Sequence, residues 1–301
     1  MSADRIVYDE LALFHENAEE YGIPWSGPPT VSRTAVEVDR PSGRAVSALI
    51  WGTASPEIVF VHGGAQNAHT WDTVALALGR PALAVDLPGH GHSGWRDDMA
   101  YSPVTNAEDV AVAIERLAPD AAVVVGMSLG GLTSIALGAR HPELVRKLIL
   151  VDVTPGVDRG KAKAIIDFVN GPQTFPSFDD IMKRTIEHNP TRSEASLRRG
   201  ILHNAHQLDD GSWAWRYDRR HRDGDVVEPI DTGPLWDDLS SLSMPVLLLR
   251  GSLSPVVDDN DVAEVKRRQP DAEVVVVDGA GHSIQGDRPL ELAALIDRFA
   301  F

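Results

Sequence analysis

The apolar run Ala121-Ala122-Val123-Val124-Val125 ends in Gly126-Met127-Ser128-Leu129-Gly130 and passes directly into a helix-like stretch from Leu132 to Arg140. A strand that reverses into a helix this abruptly leaves no space for Cβ atoms beside the turn, and the flanking glycines remove them. The serine between them is held in a strained backbone conformation, with its hydroxyl projecting from the sheet edge. The pentapeptide by itself is unspecific. Its position on a strand-to-helix turn is what makes Ser128 a candidate nucleophile.

The same grammar extends along most of the chain. From about Arg33, short apolar runs alternate with helix-length segments, the pattern of an α/β fold with a largely parallel sheet. Eight strands are expected, near Thr34–Val38, Ala45–Ile50, Ile58–Val61, Ala82–Val85, Ala122–Val125, Lys147–Val151, Val246–Leu249 and Val274–Val277. Helices are expected over Trp71–Leu78, Thr105–Leu117, Leu129–Arg140, Asp259–Arg268 and Pro289–Phe299, the last with proline at a first-turn position. Residues 1–30 form an N-terminal extension with helical character. The core is assigned to residues 31–154 and 240–301.

Between them, residues 155–239 break the alternation, turning polar and mainly helical, with Ser177 and Ser193 as N-caps. Asp210-Gly211 then offers a hairpin turn ahead of Ser212-Trp213-Ala214-Trp215-Arg216-Tyr217. An insertion of this size between sheet strands reads as a cap, or lid, over the strand ends, where ligands of such sheets bind. Trp213 and Trp215 alternate as strand residues do, so that one face either lines an acyl pocket or packs within the cap.

Composition narrows the chemistry. A chain of 301 residues, 43% hydrophobic, can bury a large core without disulfide staples. Its 44 acidic and 28 basic residues give a net charge of −16, which opposes nucleic acid and anionic lipid as partners. The absence of cysteine removes thiolate nucleophiles and thiolate metal sites, and suits a cytoplasmic protein. No secretory pattern opens the chain, and no run of eighteen apolar residues occurs. A soluble monomer or homodimer acting on a small molecule is expected.

A serine nucleophile needs a base, and the base an orienting acid. His282, in Ala280-Gly281-His282-Ser283, lies on a glycine-flanked loop after the last strand, on the same side of the sheet as Ser128, and is the candidate base. An oxyanion needs free backbone N–H groups. Position points to Gly64, in the turn Val61-His62-Gly63-Gly64-Ala65, and to Leu129; His62 is read as fixing that turn. Gly89-His90-Gly91-His92-Ser93-Gly94 formally fits a dinucleotide fingerprint but lacks the strand-turn-helix context, and His90 with His92 lacks a third metal ligand nearby. Neither a nucleotide, a metal nor any other cofactor is expected.

The stretches from His62 to Trp71 and Asp86 to Ser93, with Gly126 to Leu132, Val151 to Pro155 and Gly281-His282-Ser283, resemble the α/β-hydrolase fold family, and more narrowly the ester hydrolases of mycobacteria and other actinobacteria. The resemblance spans nearly everything from about Arg33 onward. It implies a mostly parallel eight-stranded sheet flanked by helices, with a mainly helical cap after the sixth strand. It also implies a Ser–acid–His triad in that chain order, an oxyanion hole from the His-Gly loop and the residue after the nucleophile, and no cofactor.

The sequence departs from the family's commonest pattern at the acid. That residue usually follows the seventh strand, but Arg250-Gly251-Ser252-Leu253-Ser254-Pro255 puts Ser254 in its place. Asp152, closing the sixth strand as the acid of some relatives does, is the preferred substitute; Asp258 and Asp259 are rivals that also suit a helix cap. The reading is a serine carboxylic-ester hydrolase of short to medium acyl esters. Hydrolysis of C–C bonds, lactones or thioesters by the same triad, and a non-catalytic ligand-binding member of the fold, are the alternatives.

Overall fold

The computed structural model describes residues 6–158, 160–189, 192–219 and 231–301. Parts of the extension (1–5) and of the inserted segment (159, 190–191 and 220–230) therefore lie outside the described residues.

In chain order the strands are β1 (Val31–Asp39), β2 (Arg44–Trp51), β3 (Ile58–Val61), β4 (Ala82–Val85), β5 (Val123–Met127), β6 (Leu148–Val151), β7 (Thr174–Phe175), β8 (Ala205–Gln207), β9 (Trp213–Trp215), β10 (Val246–Gly251) and β11 (Glu273–Val277). The helices are α1 (Phe14–Tyr21), α2 (Asp72–Leu78), α3 (Pro103–Leu117), α4 (Leu129–Arg140), α5 (Lys163–Val169), α6 (Phe178–His188), α7 (Glu194–Asn204), α8 (Leu235–Ser241), α9 (Asp259–Arg268), α10 (Ile284–Asp287) and α11 (Pro289–Ala300).

Eight strands form one sheet in the order β1-β2-β4-β3-β5-β6-β10-β11. Only the β1–β2 and β2–β4 pairs are antiparallel. The remaining neighbours run parallel, as the alternation of strand and helix predicts. The inner strands β3 to β6 are apolar throughout because both faces are covered, successive side chains pointing to opposite sides, whereas edge strand β1 carries Ser32, Arg33, Thr34 and Glu37. Val59, Val124 and Leu148 pack on one side with Ile114 and Ile135, while Phe60, Val125 and Ile149 pack on the other with Trp71 and Ile296. Each such side chain taken fully out of water contributes about 1.5–3 kcal/mol.

Helix ends follow local chemistry. Ser177 and Ser193 cap α6 and α7, as expected from sequence; α3 begins at Pro103, two residues before the expected Thr105, because Ser102 caps it. Asp258 makes a capping box with Asp261 at the start of α9.

Between β6 and β10 the described residues hold α5 to α8 and a small sheet in the order β7-β9-β8. The Asp210-Gly211 turn does join two antiparallel strands, but the second ends at Trp215, before Tyr217. Trp213, Ala214 and Trp215 are all buried, because β9 is the middle strand of its sheet and is covered on both faces. Strict alternation of a wet and a dry face therefore does not hold there. Phe175, Ile181, Ile201, Trp213 and Trp215 form a separate apolar cluster that also includes Ala65 of the β3 loop. Among the described residues no helix is long and apolar enough to cross a membrane.

Candidate active site

Ser128 occupies the junction of β5 and α4 at φ 51° and ψ −120°. This is a conformation that costs a non-glycine residue on the order of 1–3 kcal/mol and persists only where its surroundings impose it. They do so by crowding. A Cβ on Gly130 would lie 2.2 Å from the carbonyl oxygen of Val61, and one on Gly126 would lie 2.6 Å from that of Gly130. Neither position accepts a side chain.

Sheet register sets the partners. Met127 pairs with Val151, so Ser128 and Asp152 follow paired residues at adjacent strand ends. Asp152 is itself at φ 50°, its amide donating to Leu249 O at 2.8 Å. Its carboxylate is wholly buried. Oδ1 accepts from Gly251 N at 2.9 Å, and Oδ2 accepts from Ser254 Oγ at 2.5 Å and faces His282 Nδ1 at 2.8 Å. A carboxylate there makes Nδ1 the protonated nitrogen of a neutral imidazole and leaves the Nε2 lone pair free. Nε2 is buried and has no partner, so no hydrogen bond joins it to Ser128 here. The structure thus brings Asp152 and His282 together and leaves His282 Nε2 without a partner among the described residues.

The rivals for the acid lie elsewhere. Asp258 caps α9 and pairs with Lys161, and Asp259 is exposed and pairs with Arg250. Ser254, noted in the sequence only as a missing acid, proves to be a donor to Asp152. Its hydroxyl also receives Val256 N at 3.2 Å. No periodicity marks such a contact; the one signal was that the loop's usual carboxylate is absent.

The loop after β3 adjoins the serine. A Cβ on Gly63 would come within 3.1 Å of Ser128 Cβ, and one on Gly64 within 3.9 Å of Leu129. The amides of Gly64 and Leu129 donate to no described residue. His62 holds this turn: Nε2 accepts from Leu87 N at 2.9 Å, and Nδ1 donates to Gly63 O at 2.7 Å. Burial, reinforced by nearby His90, pushes its pKa down to about 3. It is a neutral brace, as the sequence suggested. Ala65, at φ 57°, is tethered through its carbonyl to Asn204 Nδ2 at 2.6 Å.

Beside this loop lies a cavity of about 180 Å³, lined among others by Gln66, Thr70, Phe168, Arg192, Trp215 and Gln285. Gln66 connects it to the loop, since its Oε1 accepts from Gly63 N at 3.2 Å. Neither Ser128 nor His282 lines it. Trp213 does not line it either; it borders a second cavity with Tyr8 and Arg216. The two tryptophans read together from sequence are therefore separated.

Comparison with known proteins agrees with this geometry. The profile of the alpha/beta hydrolase family matches residues 58–295. The chain is 47% identical over 295 residues to esterase Rv0045c of Mycobacterium tuberculosis, covering 96% of this chain and 94% of that protein. A structure of that esterase, described with its transition-metal inhibition, superposes with a TM-score of 0.84 at 46% identity, over 98% of this chain and 99% of the other. A 2-(acetamidomethylene)succinate hydrolase of Mesorhizobium japonicum is 29% identical over 245 residues, covering 78% of this chain and 84% of that protein. The chain belongs to the alpha/beta hydrolase family. It is an enzyme of the hydrolase class.

Proposed function

We propose that the protein is a serine carboxylic-ester hydrolase in which Ser128, His282 and Asp152 form the triad, and Gly64 and Leu129 supply the oxyanion hole. The observation that carries this reading is the contact of His282 Nδ1 with buried Asp152 at 2.8 Å, on the strand end beside the strained Ser128. Attack of Ser128 Oγ on an ester carbonyl transfers its proton to His282 Nε2. The imidazolium so formed is stabilised by Asp152, which Ser254 and Gly251 hold in place. The two free amides bind the oxyanion. Collapse of the tetrahedral species expels the alcohol, protonated by His282, and leaves an acyl-serine. Water, deprotonated by His282, then attacks the acyl carbonyl and releases the acid.

The substrate is a small-molecule ester with a short to medium acyl group, and residues 155–239 act as a cap above the strand ends. We further read the protein as cytoplasmic, consistent with its lack of cysteine, and as a monomer or homodimer. The test is hydrolysis of p-nitrophenyl esters from acetate to palmitate, run beside labelling by a serine-directed phosphonate. Turnover of the shorter chains, with labelling lost in Ser128→Ala, is expected. Labelling that persists in Ser128→Ala would overturn the assignment.

A further inference from the structure

A second group of chemistry-bearing side chains lies outside the triad, where the N-terminal arm, the start of α2 and the last turn of α7 meet. His69, Asp72 and His203 are all buried, and one donor atom from each lies within 4.8 Å of the others. His69 Nδ1 is 2.8 Å from Asp72 Oδ2, and His203 Nε2 is 3.9 Å from the same oxygen. All three border the cavity described above. Two of their atoms, Asp72 Oδ1 and His203 Nε2, are buried without a hydrogen-bond partner among the described residues. Two such orphans in one cluster are costly, since an unsatisfied buried polar group costs about 1–3 kcal/mol.

The far nitrogens of both histidines are already engaged. His69 Nε2 faces Glu10 Oε2 at 3.3 Å, and His203 Nδ1 meets Tyr8 OH at 2.7 Å. This is the arrangement of metal-binding histidines, whose second ring nitrogen donates to a carboxylate or another oxygen acceptor while the first ligates. Arg33 Nη2 also lies 3.4 Å from His69 Nε2, and Arg216 donates to Ala205 O. Arg33 is paired with Glu10 and Asp86, and Arg199 with Glu16 and Glu20.

We propose that His69 Nδ1, Asp72 and His203 Nε2 bind one divalent transition ion, with Glu10 and Tyr8 orienting the two imidazoles, and that the ion clamps the N-terminal arm and α7 onto the core. Two imidazoles and one carboxylate suit Zn²⁺, Co²⁺ or Ni²⁺ rather than Mg²⁺ or Ca²⁺, which prefer oxygen donors throughout. Three protein ligands leave a fourth position open to water from the cavity. A tetrahedral ion with bonds of about 2.0–2.1 Å sets its donors about 3.3 Å apart. The observed separations of 2.8 and 3.9 Å bracket that value. Closing on the ion requires the rings, now stacked at 3.8 Å between centroids, to tilt apart.

The test is titration of chelator-treated protein with Co²⁺ alone, read by its visible d–d absorption, and with Zn²⁺ against a chromophoric chelator. One ion per chain is expected. His203→Gln should weaken binding at least 100-fold, and Tyr8→Phe, which keeps every ligand, by about 10-fold. His282→Ala should bind as wild type does. The proposal is overturned if the wild-type chain takes up no ion, if His282→Ala abolishes uptake, or if folded His203→Gln binds with wild-type affinity. Should His203→Gln fail to fold, unchanged affinity in Tyr8→Phe overturns it equally.

Discussion

Two Asp–His pairs with buried carboxylates have the same contact length, Nδ1 to Oδ2 at 2.8 Å, and different fates. In the Asp152–His282 pair the carboxylate also accepts from Gly251 and Ser254, while His282 Nε2 has no partner among the described residues. In the Asp72–His69 pair the imidazole is occupied at both nitrogens, by Asp72 and Glu10, and the orphan atom is on the carboxylate. A histidine paired to an acid serves as a general base only when its second nitrogen is free and adjoins a nucleophile. In the function proposed above, the first pair meets that condition. In the second, both ring nitrogens are engaged.

Substitutions separate the two. Ser128→Ala and His282→Ala are expected to lower kcat on p-nitrophenyl esters by on the order of 10⁶, as in well-studied triads. Asp152→Asn comes next, with a loss of about 10⁴ in kcat and the fold retained by circular dichroism, because an amide favours the wrong imidazole tautomer. Asp72→Asn should leave kcat near wild type and lower Tm instead. Equal losses of kcat in the two variants would abolish the distinction drawn between the pairs.

Ser254→Ala should lower kcat by about tenfold with KM unchanged, the effect of losing one hydrogen bond to a buried carboxylate. A change confined to Tm would make Ser254 merely structural. The His69 pair has a pH signature. Its folded pKa of about 9 stands above the ordinary 6.5, so between those values the folded chain binds more protons than the unfolded one. Its stabilisation is complete below about pH 6.5 and is lost as pH rises toward 9. Urea midpoints measured across that range should fall less steeply in His69→Gln than in wild type. The smallest effect is expected at Asp258→Asn: unchanged kcat and a drop of about 2 °C in Tm from a weakened cap. A collapse of activity there would return the acid to the loop after β10.

Much of the fold was legible because its signals are short-range. The inner strands β3, β4, β5 and β6 are apolar runs and lie where the alternation places them; α6 and α7 begin at the serines expected to cap them. The extent of β9 was misread, since Tyr217 continues the alternation in sequence although the strand stops at Trp215. That limit comes from pairing with β7 and β8, which local pattern does not encode.

At the candidate site, the chain by itself determined the strained serine and the loop that carries His282. A glycine-flanked turn is a local steric requirement, visible in five residues. The carboxylate opposite His282 was decided by tertiary structure. Asp152, Asp258 and Asp259 are chemically alike, and the register of β5, β6 and β10 sets Asp152 at the strand end next to that of Ser128, while Asp258 is held in the capping box of α9. Ser254 on Asp152, and His203 stacked on His69, likewise join residues far apart in sequence whose meeting depends on how sheet, N-terminal arm and inserted segment pack. Backbone sterics and hydrophobic periodicity act over a few residues and are written along the chain; the pairing of polar groups across elements exists only once those elements have packed.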